Sequence, residues 1–329
     1  MKICYFSCST IYGGVEKIVV DSINEISKEH ETLLIVPFGC KYKDKLSNEV
    51  EIFEYKSYDK RYNPFLYLEI SKIVKNYDIV HTHGAKASQI TYFINKFITS
   101  FIHIATKHNS RKGKIFNKIK NVISVSTKVA NTITHSSKVL YFGIKKNHNL
   151  TPIKDEIFTI LAVGRLDPIK GFDRLIEEVS KLQFDFYLNI IGEGNQKDKL
   201  EELINSKNLN QKVSLLGFKD NIPQYLLNSH LQVMSSLSEG LPLTLIEGIL
   251  YSPIIISTPV GGIVEILEKD YLVDIDKFSD VITKIHDNYD YYCEDFQKKH
   301  IDFQSKFNFD DYIKKLVEYY KGCKDAKAL

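Results

Sequence analysis

Cysteine is scarce in this 329-residue sequence, and long hydrophobic runs are missing from it. The five cysteines are scattered and have no zinc-knuckle spacing, which argues against a disulfide scaffold and favours a reducing compartment. The first ten residues, MKICYFSCST, are interrupted by polar residues, unlike the core of a signal peptide. No uncharged apolar run approaches the roughly 20 residues that a membrane-spanning helix needs. We therefore expect a protein that is made and kept in the cytoplasm.

The chain is also nearly balanced in charge. Its net charge of +3 is too small to indicate nucleic-acid binding by itself. A content of 43% hydrophobic and 26% charged residues is ordinary for a globular protein. A length of 329 residues favours two domains, each long enough to bury its own core.

Short β-rich apolar runs alternate with amphipathic helical stretches from end to end. Continuous apolar runs such as TLLIVPF and FTILAVG are typical of strands buried on both faces, so the alternation predicts parallel sheets covered by helices. The pattern restarts near residue 157, after the polar stretch KKNHNLTPIKDE, which is the predicted linker. We expect two Rossmann-like α/β domains in tandem, with ligands in the cleft between them, beyond the carboxyl ends of the strands.

The segment VGRLDPIKG, residues 163–171, follows the first predicted strand of the second half. Gly164 allows a turn and a close approach of a ligand to the backbone. Arg165 and Lys170 then place two cations beside a coming helix, where a guanidinium fork and an ammonium group suit phosphate oxygens. A solvated surface pair is the alternative. Cations at a helix start oppose the helix dipole, which favours an anion between them.

The segment SEGLPLTLIEG contains two glutamates, Glu239 and Glu247, with seven residues between them. Pro242 predicts that a helix begins there, which leaves free N–H groups for a phosphate. Glu239 in the loop suits sugar hydroxyls and Glu247 suits a ribose diol, because a charge in the apolar stretch TLIEGILY is costly unless it is paired or faces a ligand. A helix with a glutamate near its positive end is the alternative. The free N–H groups belong to Gly240, Leu241 and Leu243.

The glycines of IYGGVE, residues 11–16, follow the first predicted strand and open the first helix. The G-x-G-x-x-G spacing of a dinucleotide site is absent, so an NAD site is not supported. A loop at Gly13 and Gly14 that approaches a ligand closely is favoured. An ordinary strand-to-helix turn is the alternative.

Three histidines, His81, His83 and His108, belong to DIVHTHG and ATKHNS, at predicted strand ends. His81 and His83 share one face of a strand, but no third metal ligand is evident near them in sequence. His81 lies inside the strand and is expected to be a satisfied core histidine. His83 and His108 follow consecutive strands and are expected to open onto the cleft, where His108 would hydrogen-bond a sugar hydroxyl.

These segments together resemble the retaining glycosyltransferases of family 4. The resemblance is carried by GGVE, DIVHTH, VGRLDPIKG, GEG, SEGLPLTLIE and STPVGG in that order, and it covers nearly the whole chain. It implies the GT-B fold, with residues 1–150 as the acceptor-side domain and residues 151–305 as the donor domain. A C-terminal helix within residues 306–329 would return to the first domain. The resemblance also implies retention of anomeric configuration and no required metal or other cofactor.

Carried over by position, the resemblance implies roles for individual residues. Arg165 and Lys170 would hold the donor diphosphate. Glu239 and His108 would contact the transferred sugar, and Glu247 would bind the ribose. The remaining donor-binding positions implied are Gly13, Gly14, Gly164, Gly240, Leu241 and Leu243.

The donor is then expected to be a nucleotide-diphosphate sugar, with UDP as the default nucleotide. The acceptor would be a glycan or a lipid-linked glycan in the synthesis of bacterial lipopolysaccharide or capsule. Two alternatives stay open: a sugar-nucleotide epimerase, and a non-catalytic GT-B partner protein.

A basic stretch at residues 107–120 contains six cations and no acid, with Phe116 and Ile119 interleaved. Docking of an amphipathic segment on an anionic membrane is one interpretation, which would place the protein on the inner face of the cell membrane. A solvated, lysine-rich face is the other, and a nucleic-acid partner is not expected. The cations are Lys107, Arg111, Lys112, Lys114, Lys118 and Lys120.

Overall fold

The computed structural model describes residues 1–111, 113–153 and 156–328. Their contacts divide the chain into two compact units, of which the first is Met1–Gly143 with Phe309–Leu329 and the second is Ile144–Asn308. Each unit is an α/β layer structure around one parallel sheet, the fold class that the alternation of runs predicted. The limits at 150/151 and 305/306, drawn from sequence for the acceptor-side and donor domains, stay predictions.

The sheet of the first unit has seven strands: β1 (Lys2–Ser7), β2 (Glu31–Pro37), β3 (Val50–Tyr55), β4 (Ile79–His83), β5 (Ile102–Lys107), β6 (Asn121–Ser124) and β7 (Lys138–Val139). Their order is β3-β2-β1-β4-β5-β6-β7, and the neighbours pair in parallel. The apolar run KVLYFG forms only the two-residue β7, because it lies at the sheet edge with one neighbour. The central strands β4 and β5 are buried along their whole length.

Helices cover this sheet on both faces, as parallel strands require. The second of them shows how the sequence determines a helix. Pro64 occupies the first turn, the Asn63 side chain accepts a hydrogen bond from Phe65 N at 3.2 Å, and Leu66, Ile70 and Val74 form a fully buried stripe. The helices are α1 (Gly14–Ile26), α2 (Pro64–Val74), α3 (Ala85–Asn95) and α4 (Thr127–Ala130).

The sheet of the second unit has five strands: β8 (Phe158–Val163), β9 (Phe186–Ile191), β10 (Val213–Gly217), β11 (Leu231–Met234) and β12 (Ile255–Ser257). Their order is β10-β9-β8-β11-β12, again in parallel. The chain reverses its winding between β8 and β11, so the loops after these two strands emerge side by side at one sheet edge. The run YLVD does not form the strand that its composition predicted, since it contributes only a bridge between Leu272 and Ser257.

The remaining helices are α5 (Phe172–Val179), α6 (Lys197–Ser206), α7 (Ile222–Asn228), α8 (Leu243–Tyr251), α9 (Phe278–Asp287), α10 (Tyr289–Lys306) and α11 (Phe309–Ala328). The last of them returns to the first unit, as the GT-B resemblance implied. It contacts α1 and β5, and the fully buried Tyr320 hydroxyl lies 2.8 Å from the Tyr5 hydroxyl. A deeply buried tyrosine pair of this kind anchors the end of the chain in the core of the first unit.

Candidate functional site

The loop after β8 and the loop after β11 are joined through their backbones. Leu237 N donates to Ile169 O at 2.8 Å, and the Ser235 hydroxyl donates to Lys170 O at 2.8 Å. Gly171 ends the first loop in the left-handed region, at φ +63°, and a Cβ added there would lie 2.4 Å from Ser235 O. The chain therefore needs glycine at this position for both conformation and space.

Lys170 and Glu239 meet where the two loops join. Lys170 Nζ lies 2.6 Å from Glu239 Oε1, and the Ser236 hydroxyl donates to the same oxygen at 2.7 Å. The two side chains are only 18% and 11% exposed, so their interaction is stronger than that of a surface ion pair. Two residues that sequence reasoning placed in one donor site are thus in direct contact. Ser236 was missed, because a serine in a loop carries no distinguishing signal.

Gly164 provides the space that the Lys170 side chain occupies. A Cβ on Gly164 would lie 3.2 Å from Lys170 Cε, so any larger residue would press on the aliphatic part of that lysine. The predicted role of this glycine was close approach to a ligand. What the structure shows is close approach to Lys170, the cation that is proposed to meet the ligand.

Arg165 is arranged differently from Lys170. Its side chain is 74% exposed, and its ion pair in the described residues is a long one, 3.8 Å from Nη2 to Asp167 Oδ2. Asp167 itself accepts from Ile169 N at 3.1 Å and so fixes the turn. The predicted part of Arg165 in binding phosphate stays a prediction.

The start of α8 lies one residue later than the sequence predicted. Pro242 is the N-cap in an extended conformation, at φ −72° and ψ 135°, and the helix begins at Leu243. The side chains of Leu241 and Leu243 are buried, at 5% and 8% exposure, so only their backbone N–H groups remain for a ligand. A phosphate at this end of the helix would meet the positive end of its dipole.

The segment STPVGG folds back onto this loop. Gly262 N donates to Gly240 O, and Thr258 Oγ1 donates to Ser236 O at 2.5 Å. Gly261 has φ +57°, and a Cβ there would lie 2.1 Å from Glu239 O. The loop that carries Glu239 is therefore held from both sides. The contact partner of STPVGG could not be read from the sequence, because it depends on the packing of β12 beside β11.

Glu247 is buried within α8, with 3% exposure, and it takes part in at least one interaction in the structure. Nearby, Gln232 Nε2 donates to Thr244 O at 2.8 Å, and a Cβ on Gly248 would lie 1.9 Å from Gln232 Oε1. Contact between Glu247 and a ribose stays a prediction.

The other predicted residues lie in the first unit. Two of them, Gly13 and Gly14, lie at the start of α1. Gly13 is the N-cap, with an extended φ of −152°, and α1 begins at Gly14. Glu16 lies in the first turn, and its Oε2 would be 3.2 Å from a Cβ on Gly13. A carboxylate thus already faces this helix start, and any diphosphate here would have to displace it.

The histidines at the ends of β4 and β5 form one cluster with Tyr320. His81 Nδ1 lies 2.6 Å from the Tyr320 hydroxyl and its Nε2 lies 2.6 Å from Thr106 Oγ1, which makes His81 the satisfied core histidine that the sequence predicted. His83 Nδ1 lies 3.1 Å from His108 Nε2. The His108 ring also stacks on Phe142, with the ring centroids 5.7 Å apart.

Burial lowers the pKa of these histidines. The pKa of His108 falls to about 3, and that of His83 falls well below its ordinary value, with nearby His81 adding to the shift. Both rings are therefore neutral at pH 7 and serve as hydrogen-bonding groups rather than acids. His108 Nδ1 and His83 Nε2 are buried without a hydrogen-bond partner in the part of the chain that the structure describes. The predicted contact of His108 with a sugar stays a prediction.

The described residues contain no group of three or more histidine, cysteine, aspartate or glutamate side chains that could hold a metal ion. The sequence has one Asp-x-Asp motif, Asp274-Ile-Asp276, and it lies on an exposed turn after β12. Metal independence stays a prediction.

The basic stretch is not the amphipathic helix that membrane docking would need. Its helical part is the single turn Phe116–Lys118, and Phe116 and Ile119 are buried in a core cluster, at 4% and 2% exposure. Lys107 is buried as well, and its ammonium donates to Asn109 O, Arg111 O and Thr132 Oγ1. The cations Arg111, Lys114, Lys118 and Lys120 are exposed, whereas Phe116 and Ile119 are not. Lys112 lies outside the described residues.

The described helices are also unsuited to crossing a membrane. In the part of the chain that the structure describes, none of them combines the length and the apolar content required to span a bilayer.

Residues 143–302 match the model of the family described as Glycosyl transferases group 1. This region of the chain is similar to that family, in agreement with its motifs.

Individual relatives agree with the family. The chain is 33% identical over 168 residues to the N-acetylgalactosamine-N,N'-diacetylbacillosaminyl-diphospho-undecaprenol 4-alpha-N-acetylgalactosaminyltransferase of Campylobacter jejuni, which covers 50% of this chain and 45% of that protein. It is 26% identical over 284 residues to the capsular polysaccharide biosynthesis glycosyltransferase CapH of Staphylococcus aureus, which covers 75% of this chain and 78% of the relative. The chain spans about half the length of several curated relatives, between 45% and 59%.

Among solved structures, the fold is similar to that of Anabaena HepE in complex with UDP-glucose. The TM-score is 0.86 at 18% sequence identity, and the match covers 98% of this chain and 100% of that chain. The likeness establishes the fold, which is the GT-B class that the sequence motifs predicted.

Proposed function

We propose that this protein is a retaining glycosyltransferase that moves a sugar from a nucleotide-diphosphate sugar, UDP-linked by default, to a glycan acceptor. The observation that carries the proposal is the Lys170–Glu239 pair, 2.6 Å apart beside the start of α8 in a glycosyl transferases group 1 domain. Lys170 and the helix N–H groups there would bind the diphosphate of such a donor, and the Glu239 carboxylate would accept hydrogen bonds from its sugar hydroxyls.

The chemistry follows from where charge develops. When the bond between the anomeric carbon and the diphosphate oxygen breaks, the sugar gains positive charge and the diphosphate gains negative charge. Lys170 and the N–H groups at the start of α8 would stabilise the departing diphosphate, and stabilisation by groups already in place is often the largest catalytic effect. Front-face transfer is favoured, with the departing phosphate oxygen accepting the proton of the acceptor hydroxyl. The two cations Arg165 and Lys170 would take the place of a divalent metal.

The acceptor proposed is a growing glycan of a bacterial surface polysaccharide, lipid-linked or free. Support comes from the names of two relatives, an undecaprenol-diphosphate glycan transferase and a capsular polysaccharide transferase. Membrane docking through residues 107–120 would have to be electrostatic, because Phe116 and Ile119 are buried. Flotation with anionic liposomes tests it, and binding that does not respond to salt would refute an electrostatic contact.

The alternatives are distinguished by their products. A non-catalytic GT-B partner would release no nucleotide, and a sugar-nucleotide epimerase would convert the sugar without releasing it. The Lys170–Glu239 pair in its loop favours transfer over a non-catalytic role.

The deciding experiment is nucleotide release from a panel of sugar nucleotides, with and without glycan acceptors. The variant Lys170→Met keeps the aliphatic stem that packs on Gly164 and removes the charge. We expect its rate to fall by about 10²–10³, the effect of losing one stabilising group. The matched control is Lys199→Ala, an exposed lysine of α6 in the same unit. Full activity of a folded Lys170→Met protein would refute the role of Lys170.

A further inference from the structure

A second concave site lies in the first unit, at the amino-terminal ends of β5, β6 and β7 beside α11. It is a cavity of about 730 Å³. Buried apolar residues, Phe101, Ile102 and Ile119, lie along its base, and the half-buried rings of Tyr92 and Tyr319 line its sides. The cavity therefore has an apolar floor and aromatic walls.

Positive charge is concentrated around this cavity. Six lysines line it against one acid, Glu318, although the whole chain has a net charge of only +3. His103 also lines the cavity, but burial lowers its pKa to about 3, so it adds no charge at pH 7. A concave surface with one sign of charge focuses its field and attracts counter-ions. The six are Lys96, Lys118, Lys120, Lys138, Lys315 and Lys327.

Among the described residues, Lys315 is the one lysine of these six that forms an ion pair. Lys315 pairs with Asp311 at 3.7 Å, Lys96 lies over the Tyr92 ring at 5.2 Å from its centroid, and Lys327 donates to Thr99 O and Phe101 O. In the described part of the chain, by contrast, no ion pair involves Lys118, Lys120 or Lys138. Cations that converge without a counter-charge repel one another, and a bound anion would relieve that repulsion.

The cavity is separate from the predicted acceptor edge of the same sheet. His103 at the start of β5 lines the cavity, whereas His108 follows the end of that strand. At about 3.3 Å per residue, the five steps between them span about 17 Å. A ligand in the cavity would therefore lie at the opposite edge of the sheet from His83 and His108.

We propose that this cavity is a binding site for a ligand that carries a diphosphate group and an apolar or planar part. Lys118, Lys120 and Lys138 would contact the diphosphate, because each ammonium offers several donors to phosphate oxygens. The base of the cavity and the two tyrosines would contact the organic part of the ligand. A lipid diphosphate headgroup and a soluble diphosphate share this chemistry, and the two arms of the experiment distinguish them.

Cys323 provides a readout inside the cavity. It lines the cavity and is half-buried, and Cys293 in α10 of the other unit is half-buried as well. The rate of maleimide alkylation of each cysteine is measured by peptide mass spectrometry. One arm adds inorganic pyrophosphate, and the other adds phosphatidylcholine vesicles with or without diacylglycerol pyrophosphate. A ligand at ten times its Kd leaves about a tenth of the sites empty, so Cys323 alkylation should slow about tenfold while Cys293 is unchanged.

The variant Lys118→Ala/Lys120→Ala/Lys138→Ala should lose this protection, and protection of the wild type should weaken in high salt. The control Lys41→Ala/Lys72→Ala/Lys75→Ala removes three exposed lysines of the same unit and should keep it. Protection by pyrophosphate identifies a soluble ligand class, and protection by the diphosphate vesicles alone identifies a lipid headgroup. No protection in either arm, or equal protection in the triple variant, overturns the proposal. Nucleotide release by the triple variant, measured with a soluble acceptor and without vesicles, should match the wild type, which keeps this test independent of the proposed transferase activity and of membrane docking.

Discussion

Replacing Gly171 by alanine tests the central claim that the loops after β8 and β11 form one rigid support for Lys170. The substitution adds a single methyl group, so its effect depends on local geometry alone. Gly171 has φ +63°, and the new Cβ would lie 2.4 Å from the backbone oxygen of Ser235. A backbone oxygen cannot rotate away as a flexible side chain would, so one of the two loops must shift.

Two effects add to give the expected loss of stability. Placing alanine in the left-handed region costs about 1–2 kcal/mol. Relieving the clash with Ser235 costs about 1–3 kcal/mol, as in other overpacked sites. The sum is about 2–5 kcal/mol, which lowers the melting temperature of a unit this size by about 5–15 °C. Because Lys170 precedes Gly171, nucleotide release should fall as well.

Gly217 provides a matched control in the same unit. It has φ +68°, but nothing lies within 4 Å of a Cβ added there. Gly217→Ala should therefore show the conformational cost without the clash, about 1–2 kcal/mol. Scanning calorimetry of the full chain measures both variants. If Gly171→Ala lost no more stability than Gly217→Ala, the loops would not be tightly joined and the rigid-support argument would fail.

Three further predictions concern Arg165, metal independence and the buried histidines. Arg165→Ala should leave the melting temperature unchanged, since the side chain is 74% exposed, but should slow nucleotide release by about 10²-fold, and normal turnover would refute its role. Chelation by EDTA should not slow nucleotide release, and a loss restored by Mg²⁺ would refute metal independence. The buried histidines have lowered pKa values, so the folded first unit binds fewer protons than the unfolded chain below pH 6.5. Its calorimetric stability should therefore fall on acidification towards pH 5, by up to about 1.4 kcal/mol per histidine per pH unit, and a flat profile would contradict their neutral burial. These histidines are His81, His83, His103 and His108.

The architecture was predictable from sequence because buried parallel strands leave a strong local signal. Runs such as TLLIVPF and FTILAVG lie close to β2 and β8. The strand predictions that failed are those for runs whose own sequence does not determine whether they pair in a sheet. KVLYFG forms two strand residues at a sheet edge, and YLVD forms only one bridge, because pairing depends on neighbours that the run itself does not specify.

The basic stretch shows the same limit in a different form. Phe116 and Ile119 among lysines suggested an amphipathic surface segment, since spacing alone cannot tell an outward apolar side chain from an inward one. The structure buries both residues against Ala105 and Val122 of the sheet. An isolated amphipathic helix could present Phe116 and Ile119 to a membrane. This segment has a single helical turn, and both side chains pack in the core instead.

The candidate site was predictable in its residues but not in their mutual contacts. The family resemblance placed Lys170 and Glu239 in one donor site, and in the structure the strands before them, β8 and β11, are neighbours in the sheet. It could not show that the two side chains pair with each other at 2.6 Å. That pairing has a physical consequence. In the proposed reaction, a diphosphate would compete with Glu239 for Lys170, and Glu239 would then be available to accept hydrogen bonds from sugar hydroxyls. The variant Glu239→Gln should therefore weaken both the interaction with Lys170 and the hydrogen bonds to the sugar. A change in diphosphate binding alone would contradict this expectation.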